Sequence, residues 1–337
     1  MAEDWKNVLS TYILQQNQDE VDYRLRGGPT VVTDLDYLMR RGERKARMAK
    51  WYEEREASPL RSETKAKLVS EPVETADEVE VDLQLHRKIY YNKAGVKHRE
   101  ERLDQQRLLL VRSGADWVIE TVTQKVPERS PVLAGAFPNS GLPGDSPRKA
   151  DKRGPYLNRD VLGTGGVPKG PIYRREDAVK YADDWWDGFN PEFAGFEVDC
   201  TNYISQCLFA GGAPINYTGK RESGWWYKGY VGSQESWSYS WAVAGSLERY
   251  LSTSRSALRA ISVDRPEQLE LGDVIIYDWD GDGAYQHSTI VTAFDAGGMP
   301  LVNAHTVSSR HRYWDYKDSY AWTEKTKYRF FHIADRF

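Results

Sequence analysis

The chain has only two cysteines in 337 residues, Cys200 and Cys207, which excludes a disulfide-stapled scaffold. No stretch approaches the ~20 consecutive apolar residues that a membrane-spanning helix needs. Neither charge is in excess: 46 Lys and Arg stand against 50 Asp and Glu, a net −4. Such a balance provides no general field for nucleic acid or an anionic membrane surface, and neither is expected as a partner. The opening MAEDWKNVLSTYILQQNQDE lacks the basic start and the unbroken apolar stretch of a secretory signal, so a cytoplasmic location is expected. A mean hydropathy of −0.69 with 40% hydrophobic residues fits a water-soluble chain with a modest core.

What the chain has in quantity is tryptophan: 12 residues, nine of them between Trp185 and Trp322. Proline is uneven too, with eight of 15 between Pro127 and Pro171, in a stretch that includes PNSGLPGDSPRKADKRGP. That stretch can bury little apolar surface to offset its ordering entropy. Residues 126–170 therefore read as a linker between a domain over 1–125 and a second over 171–337. The fold class expected is α+β.

In the first domain, a short helix is expected over 4–16 and a longer one over 33–57, capped by Thr33 or Asp34 and built from good helix formers. After Pro59 the segments KLVSEPVE, EVEVDLQLHRKIYY, HREERLDQQRLLLVRSG and DWVIETVTQ alternate charged and apolar residues between Gly or Asn-Lys turns. This predicts an antiparallel meander after the helices, a pattern similar to cystatin-like or nuclear-transport-factor-like folds. No chemical motif lies here; His86 and His98 read as structural or surface residues.

The chemistry is expected in the second domain. In EVDCTNYISQCLFAGGAP (197–214), Asp199 and Thr201 are good cap residues. Tyr203, Ile204, Cys207 and Leu208 recur at helical spacing, and Gly211, Gly212 and Pro214 end the run. Cys200 thus falls at a helix N-terminus, where unpaired N–H groups and the dipole favour a thiolate and could hold an oxyanion. Cys207 lies two turns on, about 10.5 Å away at ~1.5 Å per residue, too far for a disulfide bridge, and reads as core.

In LELGDVIIYDWDGDGAYQHSTIVTAFDAGGMPLVNAHT (269–306), a strand at Val274–Tyr277 follows a Gly-Asp turn. His287 opens a second strand, and Asp295 to Gly298 signal a hairpin whose return strand runs from Met299 to His305. Pairing about that turn brings His287 near His305 or Thr306, and Asn303 nearer Ile290. A histidine facing a polar side chain across a strand pair is a usual way to orient a general base.

Taken together, D-C-T-N-Y-I-S-Q-C, L-G-D-V-I-I-Y-D, Q-H-S-T-I-V-T and A-H-T resemble the putative amidase domain of Firmicute bacteria, over about 170–337. That family is similar to the papain-like NlpC/P60 and CHAP hydrolases, with core order Asp-Cys helix, strand, His strand, and strand with a third polar residue. The resemblance implies a papain-like domain and a Cys–His hydrolase of amide bonds, often in cell-wall peptides. It implies Cys200 as nucleophile and His287 as base. The third position falls on His305, which matches the family's His-Thr pair, or on Asn303 of the same strand face. An amide or peptide substrate is implied, and no cofactor or metal.

Two further signals compete with simpler readings. Asp278, Asp280, Asp282 and Gly283 spell the first half of a calcium loop, but Thr289 stands at the twelfth position; a polar turn is the expectation. Trp225, Trp226 and Tyr227, with Trp237 and Trp241, suit either a core or an aromatic cleft rim, and one of the adjacent tryptophans is expected to be partly exposed. Trp185 and Trp186 read as helix-to-core packing, His311 and His332 as structural. Two rival functions share the fold: a non-catalytic binding module, whose signature would be loss of Cys or His, and an acyltransferase using the same thioester.

Overall fold

The computed structural model describes residues 4–23, 30–129, 171–231 and 234–337. The expected linker therefore lies, from residue 130 to 170, outside the described residues. The chain divides into two compact units. The first is Met1–Val126 together with Asp295–Gly297 and Asp315–Tyr320. The second is Pro127–Phe294, Gly298–Trp314 and Ala321–Phe337.

The first unit has helices α1 (Trp5–Asp19) and α2 (Leu35–Glu54), then strands β1 (Ala57–Leu68), β2 (Val73–Glu74), β3 (Glu78–Lys93), β4 (Val96–Ser113) and β5 (Asp116–Gln124). Asp34 caps α2 by accepting from the Tyr37 N–H at 2.9 Å. β3 alternates buried and part-exposed residues along its length, as a sheet with one covered face requires. It turns into β4 through Ala94 and Gly95, both at positive φ, the demand of a two-residue hairpin loop. The antiparallel order is β1-β3-β4-β5, with β2 on β3. Trp5, Val8 and Tyr12 of α1 close over Val81, Leu83, Leu108 and Ile119. β1 differs from expectation: it starts at Ala57, directly after α2, and its largely exposed polar residues carry no alternation to announce it.

The second unit begins with a single 3-10 turn at Pro127–Arg129. Among the described residues its α-helices and strands are α3 (Arg175–Trp185), α4 (Cys200–Ala210), β6 (Tyr227–Val231), β7 (Gln234–Trp237), α5 (Tyr239–Ala242), α6 (Ala244–Thr253), β8 (Ala260–Val263), β9 (Val274–Asp278), β10 (His287–Phe294), β11 (Pro300–Ala304), β12 (Ser309–Tyr313) and β13 (Lys327–Ile333). Six strands run antiparallel in the order β12-β11-β10-β9-β13-β8, and β6 and β7 pair separately. α4 packs on β10 and β11, and α3 packs on α4. α4 ends against Tyr173: a Cβ on Gly211 would meet that ring at 2.4 Å, so only glycine fits there.

The tryptophans are core, not rim. Trp225 and Trp226 are both buried, against the expectation that one would face solvent. Trp225 stacks on Trp241 at 4.9 Å and donates its indole N–H to Ser205 Oγ at 3.0 Å. Trp226 donates to the Ser223 carbonyl at 3.0 Å and meets Tyr217 edge-on. Adjacent residues can both be buried here because one faces the core and the other lies under the loop at Tyr217. Among the described residues no helix is long and apolar enough to cross a membrane.

Candidate active site

Cys200 is the first residue of α4 and is 1% exposed. The helix start is not capped as the sequence suggests. Asp199 precedes the helix, but its carboxylate accepts from the Phe196 N–H (3.0 Å) and the Asn202 amide (2.9 Å). The cap comes from across the fold: Thr306 Oγ1 accepts from the main-chain N–H groups of both Asp199 and Cys200, at 3.1 Å each. Thr306 holds this position at φ +78°, a left-handed conformation that a β-branched residue adopts only under strain.

The Cys200 sulfur lies against the main chain of β10 on both sides of His287. It is 3.9 Å from the Gln286 carbonyl oxygen and is hydrogen-bonded by the Ser288 main chain. Burial pushes its thiol up, while bonds from Ser288, Thr201 and Thr306 pull the other way without prevailing. This corrects the expectation of a resting thiolate: the helix-start N–H is engaged by Thr306, and desolvation outweighs the dipole. Cys207 is pushed up further, by burial in the apolar core.

His287 is fully buried at the start of β10. Alternation along the strand separates it from its neighbour. Ser288 Oγ faces α4 and bonds Thr201 Oγ1 at 3.1 Å, while His287 and Thr289 take the other face. There the His287 ring lies over Trp279, with centroids 5.7 Å apart, and beside Tyr277. Its Nε2 is 4.0 Å from Glu128 Oε1, and that oxygen is 3.5 Å from Arg312 Nη1. Burial, with the Arg312 charge adding to it, pushes the imidazole down to about 3. At neutral pH the ring is an unprotonated base.

The candidate third residues go elsewhere. β10 and β11 pair Ile290 with Asn303, as the hairpin reading has it, and a bulge between Val291 and Ala293 shifts the register by one. Extended along the strands, that register brings His287 toward Thr306, one residue past His305. His305 Nδ1 lies 2.7 Å from Asp199 Oδ2, and Nε2 lies 2.7 Å from the Trp185 carbonyl. With both nitrogens on acceptors, and the ring stacked on Tyr203 at 3.9 Å, His305 serves Asp199 and the start of α4 and has no nitrogen left for His287. Asn303 bonds Thr292, the His311 N–H and Asp183.

Residues 172–331 match the putative amidase domain. The matched stretch contains Cys200, His287, His305 and Thr306, while Glu128 lies ahead of it. The Bacillus subtilis (strain 168) protein named as uncharacterized protein YhbB is 54% identical over 163 residues, 48% of this chain and 51% of that protein. The alignment spans about half the length of this curated relative. No solved structure matches.

Two candidate cation sites are occupied by the protein's own groups. Asp278 accepts from the main-chain N–H groups of Gly281, Asp282 and Gly283, which makes the Asp-rich segment a self-closed polar turn. Glu270, His332 and Asp335 bring ligand-type atoms within 4.8 Å of one another. The Arg175 guanidinium already pairs with both carboxylates, and His332 Nδ1 bonds the buried Asp273 at 2.8 Å.

Trp279, Glu128 and Arg312 had no part in the sequence reading, and Thr306 entered it as a residue opposite His287, not as the cap of α4. Thr306 carried a signal, as the partner of His305 in the A-H-T motif. Glu128 carried none: it stands in a Pro-rich stretch far from the motifs, and only the fold brings it to His287.

Proposed function

We propose that the chain is a thiol-dependent amide hydrolase in which Cys200 is the nucleophile and His287 the base. One observation carries this: the Cys200 sulfur, at the start of a helix, rests against the peptide groups on either side of His287. Both groups are neutral at rest, so the proton moves as the bond forms. Sulfur attacks the amide carbon while His287 takes the thiol proton, and the imidazolium then protonates the departing amine. Water, deprotonated by His287, cleaves the thioester and restores the thiol. The Cys200 N–H can reach an oxyanion only by releasing the Thr306 hydroxyl, so Thr306 sets the position of that donor. His305 acts on the same end of α4 through Asp199.

The order of Cys helix, strand, His strand and strand supports a papain-like reading of the second unit, and with it a peptide of cell-wall type as substrate. The test is hydrolysis of a panel of such peptides by the purified chain, with both products identified by mass spectrometry. Cys200→Ala is expected to abolish turnover. Hydrolysis that persists in that variant overturns the assignment, and a new amide formed with an added amine would make the reaction acyl transfer.

A further inference from the structure

We infer that Glu128 is the positioning residue behind His287: its carboxylate faces Nε2 and leaves Nδ1 as the nitrogen that takes the Cys200 proton, with Arg312 as the opposing charge. The inference rests on the Cys–His reading above. It supplies the third member that His305, turned to Asp199, does not.

The geometry is specific. Of the two ring nitrogens, Nδ1 is the nearer to the main chain, and the sulfur lies against the main chain flanking His287. Nε2, at the far end, is the nitrogen that faces Glu128 Oε1, at 4.0 Å. The two nitrogens therefore divide their tasks: one exchanges the proton, the other meets a carboxylate that stabilises the imidazolium formed in the step. Glu128 is 3% exposed and Arg312 2%, so neither charge is a solvated surface group.

The support around Glu128 is built. Trp279 stacks on the His287 ring and donates its indole N–H to the Glu128 carbonyl at 2.9 Å, so one side chain holds both the base and its partner. Arg129, next in the turn, donates to the Ala321 carbonyl (2.9 Å) and to Asp280 (3.1 Å). The main-chain N–H of Trp279 donates to Gln286 Oε1 at 3.0 Å, beside His287. Among the described residues, the charged and titratable groups that face the ring include Glu128, Arg312 and Tyr277. Glu128 favours the protonated ring and Arg312 disfavours it.

Opposite charges predict opposite effects, which a merely structural role does not. The readout needs no substrate: the pH-dependent rate of Cys200 alkylation by iodoacetamide in the full chain, separated from Cys207 by peptide mass spectrometry. Glu128→Gln keeps the shape and removes the charge; it is expected to slow Cys200 about 10-fold at pH 7, the effect of roughly one pKa unit. Arg312→Gln is expected to accelerate it by a similar factor, with Cys207 unchanged in both. Should Glu128→Gln fail to fold, the Glu128→Gln/Arg312→Gln double variant leaves no unpaired buried charge. It is expected to be slower than the natural chain, because the carboxylate is the group facing the ring. A Cys200 rate unmoved by these variants, or slowed by both single variants, while His287→Ala also slows it, overturns the role of Glu128 and leaves the Cys–His pair standing. A Cys200 rate that is unmoved by His287→Ala as well removes the pair itself.

Discussion

Glu20 of the first unit and His287 of the second are both buried, yet burial leaves them in opposite conditions. Glu20 lies 3.0 Å from Arg44 and 3.4 Å from Arg102. Burial alone would raise its carboxyl, but those arginines hold it at about 2. Arg102 also pairs with Asp318, and Arg44 donates to the Asp318 carbonyl at 3.0 Å. Charge there is matched by charge, an arrangement that fixes structure. His287 is instead pushed away from its charged form, by burial and by Arg312. Cys200 is likewise pushed toward its neutral thiol. Groups held in their neutral form by burial, without a matching charge, are candidates for chemistry, whereas charge matched by charge is the signature of a structural network.

The largest effects should separate the two regions. Cys200→Ala is expected to remove at least ~10⁴-fold of hydrolysis, more than 5 kcal/mol of barrier, with the unfolding midpoint little changed. Glu20→Gln should do the reverse. It leaves two buried arginines short of a partner and is expected to cost about 3–5 kcal/mol of stability. Urea unfolding and turnover measured on both variants decide this. If Glu20→Gln leaves stability intact, the charge matching of the first unit is not what holds it.

The contrast extends to pH. His287 has a folded value of about 3 against an ordinary 6.5. Its contribution is therefore present above pH 6.5 and lost as pH falls toward 3. Asp315 of the first unit is raised by burial from 3.8 to about 6, despite accepting from the Trp51 indole and the Lys317 N–H. Its contribution is present below 3.8 and lost as pH rises through 6. Between pH 6.5 and 4.5 the two oppose each other, by about 2 kcal/mol each. Asp315→Asn is expected to lose about that much stability on acidification over this range. His287→Gln is expected to gain a similar amount. His98, pushed down by burial, acts in the same sense as His287 in every variant and cancels in the comparison. Urea midpoints at the two pH values suffice, and parallel behaviour of the two variants would contradict the assigned directions.

Much of the fold was legible because it is written in short-range pattern. The alternation in β3 and β4 and the helix from Cys200 to its glycine stop follow local periodicity, and the strands at Val274 and His287, buried along most of their length, follow from short runs bounded by turn residues. β1 was not legible: exposed polar residues leave a strand without a hydrophobic face to read. The placement of Cys200 at a helix start and of His287 at a strand start was legible, because their motifs lie within their own elements. At the third position the pairing of Ile290 with Asn303 follows the hairpin reading, but His305 is engaged by Asp199 and the Trp185 carbonyl, contacts from distant segments that no strand spacing announces. The approach of Glu128 to His287 was not legible, because a residue brought from a distant turn leaves no spacing to find.

The smallest effect concerns Thr306, where the site and the fold share one hydroxyl. Its oxygen accepts from the N–H groups of Asp199 and Cys200 at 3.1 Å each. Thr306→Val keeps the branched shape, and therefore the strain of the positive φ, but removes the acceptor. Two buried donors then lose their partner, at an expected cost of about 1–3 kcal/mol. Thr306→Ser keeps the oxygen and sheds a methyl group, so a change within ~0.5 kcal/mol is expected. Urea unfolding of the pair isolates the hydroxyl from the backbone strain, since only one variant loses the acceptor. The Cys200 alkylation rate adds the functional half. Losing a hydrogen bond that lowers the thiol should slow Cys200 in the valine variant and leave it near normal in the serine one. If valine and serine prove equal in both measurements, the Thr306 hydroxyl is not what fixes the start of α4. The strained residue would then need another reason to be there.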